Sequence, residues 1–159
     1  MNEFDTLLIN GKELKKNEPA VDFLISLLEL ANSINTFLYS NFVKSNLDLK
    51  LELSDIVRVL KLLHKEFGLD TNLKEYRIDE HKKLLNLIEK YKSKILNTYN
   101  SNVLSSKEGC LVKECYIKSL RLEHKFYCLN IETLYSPYLN YLVLYFDLLS
   151  KMVDKENGF

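Results

Sequence analysis

The stretch PYLNYLVLYFDLLSKMV, Pro137 to Val153, carries two interleaved apolar stripes. Leu139, Leu142, Phe146, Leu149 and Val153 step by 3, 4, 3 and 4 residues, and Tyr138, Tyr141, Tyr145, Leu148 and Met152 repeat those steps beside them. Steps of three and four place side chains on one face of an α-helix. Ser136 followed by Pro137 supplies a start, because proline's missing N–H costs nothing in a first turn. One seam is aliphatic and the other rich in tyrosine. A helix apolar nearly all round is central in its bundle or covered on both sides, so the chain reads as mainly α.

Working outward, the same periodicity recurs upstream. Leu111, Cys115, Leu122, Phe126 and Leu129 share a face in a helix that begins near Ser105 or Ser106, and Ser105 with Glu108 has the capping-box spacing. A helix from about Asp79 carries Leu84, Ile88, Tyr91, Ile95 and Tyr99. Another starts at Ser54 as N-cap, buries Ile56, Leu60, Leu63 and Phe67, and ends at Gly68. The first runs from Pro19 to about Lys44 through Leu24, Leu27, Ala31, Ile34, Leu38 and Phe42. The expected architecture is a compact bundle of about five helices in one domain, residues 1–159.

The N-terminal end reads differently. Thr6 to Ile9 and Lys12 to Leu14 flank Asn10-Gly11, a pair that favours the tight turn of a β-hairpin. Leu47, Leu49, Leu51 and Leu53 alternate with polar residues, which is the period of a strand. A small three-stranded element is therefore expected beside the bundle, with 47–53 as its third strand.

The chain has 159 residues, 22 basic and 22 acidic, so its formal net charge is zero. The zero hides a pattern. Residues 1–57 hold 5 basic and 9 acidic side chains, residues 58–125 hold 15 and 9, and residues 126–159 hold 2 and 4. Lys82, Lys83, Lys90, Lys92 and Lys94 share one helix and form a candidate face for an anionic partner. Three cysteines, Cys110, Cys115 and Cys128, fit reduced thiols better than a disulfide framework. The acidic start resembles no secretory signal, and the longest apolar run is broken by Asn140 and Asp147. A soluble cytoplasmic protein with no membrane span is expected.

Catalytic inventory is thin. The sequence has no phosphate-binding GxxxxGK[ST], no HExxH and no GxSxG. Cys110, Cys115, His124 and Cys128 are the residue types that bind zinc. His124 and Cys128 share a helical face that Cys110 and Cys115 do not, so these read as packing cysteines, and neither metal nor cofactor is implied. Arg58 and His64, spaced Arg-x5-His, resemble the signature of the HEPN ribonucleases over seven residues. That resemblance implies metal-independent RNA cleavage, with His64 in acid–base work and Arg58 near the phosphate.

Nine of the ten tyrosines lie between residues 76 and 145. Tyrosine is enriched at interfaces, where it offers large contact area and a polar tip. Tyr138, Tyr141, Tyr145 and Met152 are accordingly the candidate interaction residues. The leading functional reading is a non-enzymatic interaction module (subunit, adaptor, inhibitor or immunity-type factor) that binds a protein partner or self-associates. The alternatives are a small nucleic-acid-associated subunit using the basic middle, and a HEPN-like ribonuclease using Arg58 and His64.

Overall fold

The computed structural model describes residues 5–7, 13–15, 18–68, 76–95 and 105–159. Six helices follow a short ladder: β1 (Asp5–Leu7), β2 (Glu13–Lys15), α1 (Pro19–Leu38), α2 (Asn41–Lys44), α3 (Leu47–Gly68), α4 (Asp79–Ile95), α5 (Lys107–Tyr127) and α6 (Ser136–Glu156).

The bundle is mainly helical, as expected. α1 lies between α3 and α5, and α6 lies between α5 and α4. Polar pairs fix the directions. Asp22 and Glu29 of α1 meet Lys125 and Lys118 of α5, so these two helices run antiparallel. Glu52 and Arg58 of α3 meet Lys90 and Glu80 of α4, with the same result. One core cluster fills the interior, drawing on every helix and including Phe23, Ile34, Leu53, Leu63, Ile88, Val112, Leu142 and Phe146. Each such side chain contributes about 1.5–3 kcal/mol by leaving water.

Two boundaries depart from the expected ones. The first helix stops at Leu38 rather than Lys44, because Ser40 turns extended (φ −67°, ψ 152°) and its hydroxyl accepts from Val43 N, starting α2. The expected third strand is the first part of α3. Leu49 and Leu53 point inward, whereas Leu47 and Leu51 are 68% and 61% exposed. Two overlapping i, i+4 pairs produce the same alternation as a strand. Asn46 starts this helix, its side-chain oxygen accepting from Leu49 N at 3.1 Å. The small β element is thus not supported as part of the architecture. What remains is a ladder of three pairs, Asp5 opposite Lys15 to Leu7 opposite Glu13, and the Asn10-Gly11 turn lies outside the described residues.

α1 is long and apolar enough to cross a membrane by length and composition, but half of that apolar window is buried against the other helices. It is a core helix of this bundle.

Candidate functional site

The structure places the tyrosine seam of α6 mostly inside the chain. Tyr138, Tyr145 and Met152 are buried, and Tyr141 is half-buried at the edge of the core. The expectation that this seam meets a partner is corrected for the three buried residues. Tyr138 packs against the Tyr76 ring, and Tyr145 meets the chain's own α3 and α4. The Tyr145 hydroxyl donates to Glu52 Oε2 at 3.2 Å, the Tyr91 hydroxyl donates to the same oxygen, and Lys90 Nζ reaches Glu52 Oε1 at 3.1 Å. One carboxylate thereby joins three helices. Burial raises the Tyr145 and Tyr91 phenols far above their ordinary value, and the Glu52 charge adds to it.

Three of the five lysines on the basic face of α4 have acidic neighbours within the chain. Lys83 pairs with Glu80 at 3.8 Å, Lys90 with Glu52, and Lys92 with Glu89 at 3.6 Å. Lys94 lies 5.8 Å from the centre of the Tyr91 ring, and Lys82 is exposed.

Arg58 and His64 occupy different sides of α3. Arg58 donates to Asp55 Oδ1 at 2.9 Å and Glu80 Oε1 at 2.7 Å, and these hydrogen bonds raise its pKa further. His64 lines a shallow dent of about 180 Å³ with Leu27, Leu28, Ala31, Leu60 and Lys61, where burial lowers its pKa. The two side chains do not converge on one point, which removes the ribonuclease reading.

The cysteines are likewise apart. Cys115 is buried, and desolvation pushes its thiol up to about 12, whereas Cys110 and Cys128 are exposed. His124 Nε2 lies 3.8 Å from Cys128 Sγ on the unbroken helix α5.

The outer surface of α5 beside α6 holds a candidate site that the sequence reading passed over. Tyr116, Leu120, Glu123 and Tyr127 are spaced 4, 3 and 4 residues apart, so they line one shoulder of α5. Tyr116 packs partly into the core, Leu120 is 40% exposed, and Tyr127 is 69% exposed. The antiparallel register comes from Asp154 of α6, whose Oδ1 accepts from Ser106 N and Ser106 Oγ, both at 3.0 Å. That register brings the exposed Leu144 of α6 to the level of Tyr116. Within this apolar surface Glu123 Oε2 is buried with no hydrogen-bond partner. Desolvation raises the Glu123 pKa. An orphaned carboxylate oxygen is costly unless something outside the chain satisfies it. His124 is exposed next to Glu123 in the chain, whereas Arg121, two residues before Glu123 on the same helix, projects from the opposite side of α5. The arrangement offers rings and aliphatic surface to a flat ligand and an acceptor to an amide or amine N–H.

No family model matches the chain, and no curated protein matches it. Solved structures do match. Two are variants of a PduO-type ATP:corrinoid adenosyltransferase from Lactobacillus reuteri complexed with cobalamin and ATP, with TM-scores of 0.80 and 0.81 at 16% identity. They align with 98% of this chain and with 91% and 88% of their own lengths. A third variant, complexed with ATP, has a TM-score of 0.81 at 18% identity over 98% of this chain and 91% of its own. This likeness overturns the reading of a non-enzymatic interaction module, and its nucleic-acid and ribonuclease alternatives with it: the fold, end to end, is one on which solved structures carry an enzyme holding two small molecules. The chain has the fold of the PduO-type ATP:corrinoid adenosyltransferases.

Proposed function

We propose that the protein is an adenosyltransferase-type enzyme that binds ATP and a reduced corrinoid and moves the adenosyl group from ATP to the corrinoid's metal, with triphosphate leaving. The observation that supports this most is the match over 98% of the chain to structures complexed with cobalamin and ATP. The α5 shoulder supplies chemistry that suits such ligands. Tyr127 and Leu120 offer flat apolar contact to a corrin or adenine ring. Glu123 offers its unpartnered oxygen to an amide or amine N–H, and a hydrogen bond to a charged group is worth roughly 1.5–3 kcal/mol. The reading places the protein in the cytoplasm, where ATP is available. It also keeps self-association, because Ile25 and Leu28 of α1 are about half exposed next to each other on the outside of the bundle.

Equilibrium dialysis against ATP and against cobalamin tests the reading. Both ligands are expected to bind, and Glu123→Leu is expected to weaken at least one of them by tenfold or more, the equivalent of about 1.4 kcal/mol. Failure of the folded wild-type chain to bind either ligand overturns the reading. Light scattering tests self-association, with a monomer at all concentrations as the contrary result.

A further inference from the structure

A second polar cluster lies at the end of the bundle where α4 begins and α5 turns into α6. Among the described residues, four buried side-chain atoms lack a hydrogen-bond partner: Tyr76 Oη, Glu80 Oε2, His81 Nε2 and Glu123 Oε2. Three of the four belong to this one patch.

The rings that carry them are firmly held. Tyr76 is only 2% exposed, and its backbone N–H donates to Glu66 Oε1 at 2.8 Å, which ties it to the last turn of α3. The Tyr76 ring meets Tyr135 at 5.9 Å and Tyr138 at 6.0 Å, both edge-on. The Leu134 backbone lies beside the His81 ring and favours its protonated form, against the effect of burial. A neutral imidazole protonated at Nδ1 presents Nε2 as a bare acceptor. The Tyr76 and His81 ring centres are 5.3 Å apart, yet the hydroxyl and Nε2 do not bond each other. Glu80 is fixed through its other oxygen by Arg58 at 2.7 Å, and its Oε2 has only the exposed Lys83 at 3.8 Å.

We infer that Tyr76 Oη, His81 Nε2 and Glu80 Oε2 together form a binding site for one internal water. The inventory matches a single water molecule. The phenol donates to the water's oxygen, and the water donates its two hydrogens to the imidazole and the carboxylate. Three bonds is the usual complement of a buried water, and buried polar groups of this kind are rarely left unpaired. The water joins the end of α3, the start of α4 and the entry to α6 through groups that do not bond one another.

A high-resolution crystal structure of the full chain tests the assignment. A solvent peak within hydrogen-bonding distance of Tyr76 Oη and His81 Nε2 is expected. Oxygen-17 relaxation dispersion counts long-lived internal waters, and Tyr76→Phe is expected to lose one of them. The nitrogen-15 shift of wild-type His81 Nε2 is expected to be that of an unprotonated, hydrogen-bonded acceptor, which keeps the test open if Tyr76→Phe fails to fold. Direct bonding of Tyr76 Oη to another protein group without solvent density, or an unchanged water count in a folded Tyr76→Phe, overturns the inference.

Discussion

Asp154 near the end of α6 occupies the space that a side chain at Gly109 would need. A Cβ on Gly109 would lie 1.8 Å from Asp154 Oδ1 and 2.9 Å from Ser106 Oγ. Ser106 is the N-cap of α5, with its Oγ accepting from Gly109 N at 2.9 Å, and Asp154 Oδ1 accepts from both the backbone and the hydroxyl of Ser106. A carboxylate near the end of α6 thus braces the capped start of the preceding helix α5, and the missing side chain at Gly109 lets it approach. Lys113 adds a cation 3.3 Å from Asp154 Oδ2.

Gly109→Ala is therefore expected to destabilise the chain by about 1–3 kcal/mol through overpacking, although alanine is the better helix former. In an Asp154→Ala background the same change should cost less, because only the approach to Ser106 Oγ remains. Urea unfolding of the four proteins in this cycle measures the coupling, and additive effects would contradict the contact.

Glu123→Gln carries a paired prediction. The folded-state pKa of Glu123 is raised by desolvation, so the folded chain holds its proton more tightly than the unfolded chain does. Stability is thus lost as pH rises from the ordinary carboxyl range, about 4.3, through the raised value. The variant removes that loss. Its melting temperature should exceed the wild type's at neutral pH, with the difference shrinking as pH falls. Gained stability alongside weakened ligand binding is the signature of a functional carboxyl. Lowered stability at neutral pH would mark Glu123 as structural.

Tyr145→Ala should cost about 3–5 kcal/mol, as loss of a fully buried aromatic ring does. Tyr145→Phe should cost far less, because Glu52 keeps its bonds from Tyr91 and Lys90. Chemical denaturation separates the two. Full stability of Tyr145→Ala, with loss only of self-association, would restore an interface role to the seam.

His64 gives an acid-side prediction. Burial lowers its folded-state pKa, so the neutral ring is favoured in the fold. The stability this provides is complete above the unfolded value, about 6.5, and is lost as pH falls from there towards the lowered value. Replacing His64 with Gln should flatten the stability profile over that range. An unchanged profile would mean that His64 titrates as an exposed histidine.

Much of the helical layout was legible in local pattern. The two seams of α6, its start at Ser136-Pro137, and the start of α5 near Ser106 depend on residues within a few positions of one another. The leucines at 47–53 misled because alternation arises both from a strand and from two i, i+4 pairs. The residues between them, Asp48, Lys50 and Glu52, favour helix over strand, and that was the available signal. The tyrosine seam could not be placed from sequence, since its partners Glu52 and Tyr91 lie 93 and 54 residues away. Glu123 was passed over for a similar reason. Its spacing from Tyr116, Leu120 and Tyr127 is readable, but its burial without a partner exists only once α5 and α6 are packed. The fold's tie to small-molecule chemistry had no local motif to announce it.

The most direct test of the central claim is to incubate the purified chain with ATP and chemically reduced cobalamin, and to follow adenosylcobalamin by its absorption spectrum and by chromatography. The account predicts product that scales with protein and falls in Glu123→Leu. A folded chain that binds neither substrate and forms no adenosylcobalamin above the protein-free control would contradict it.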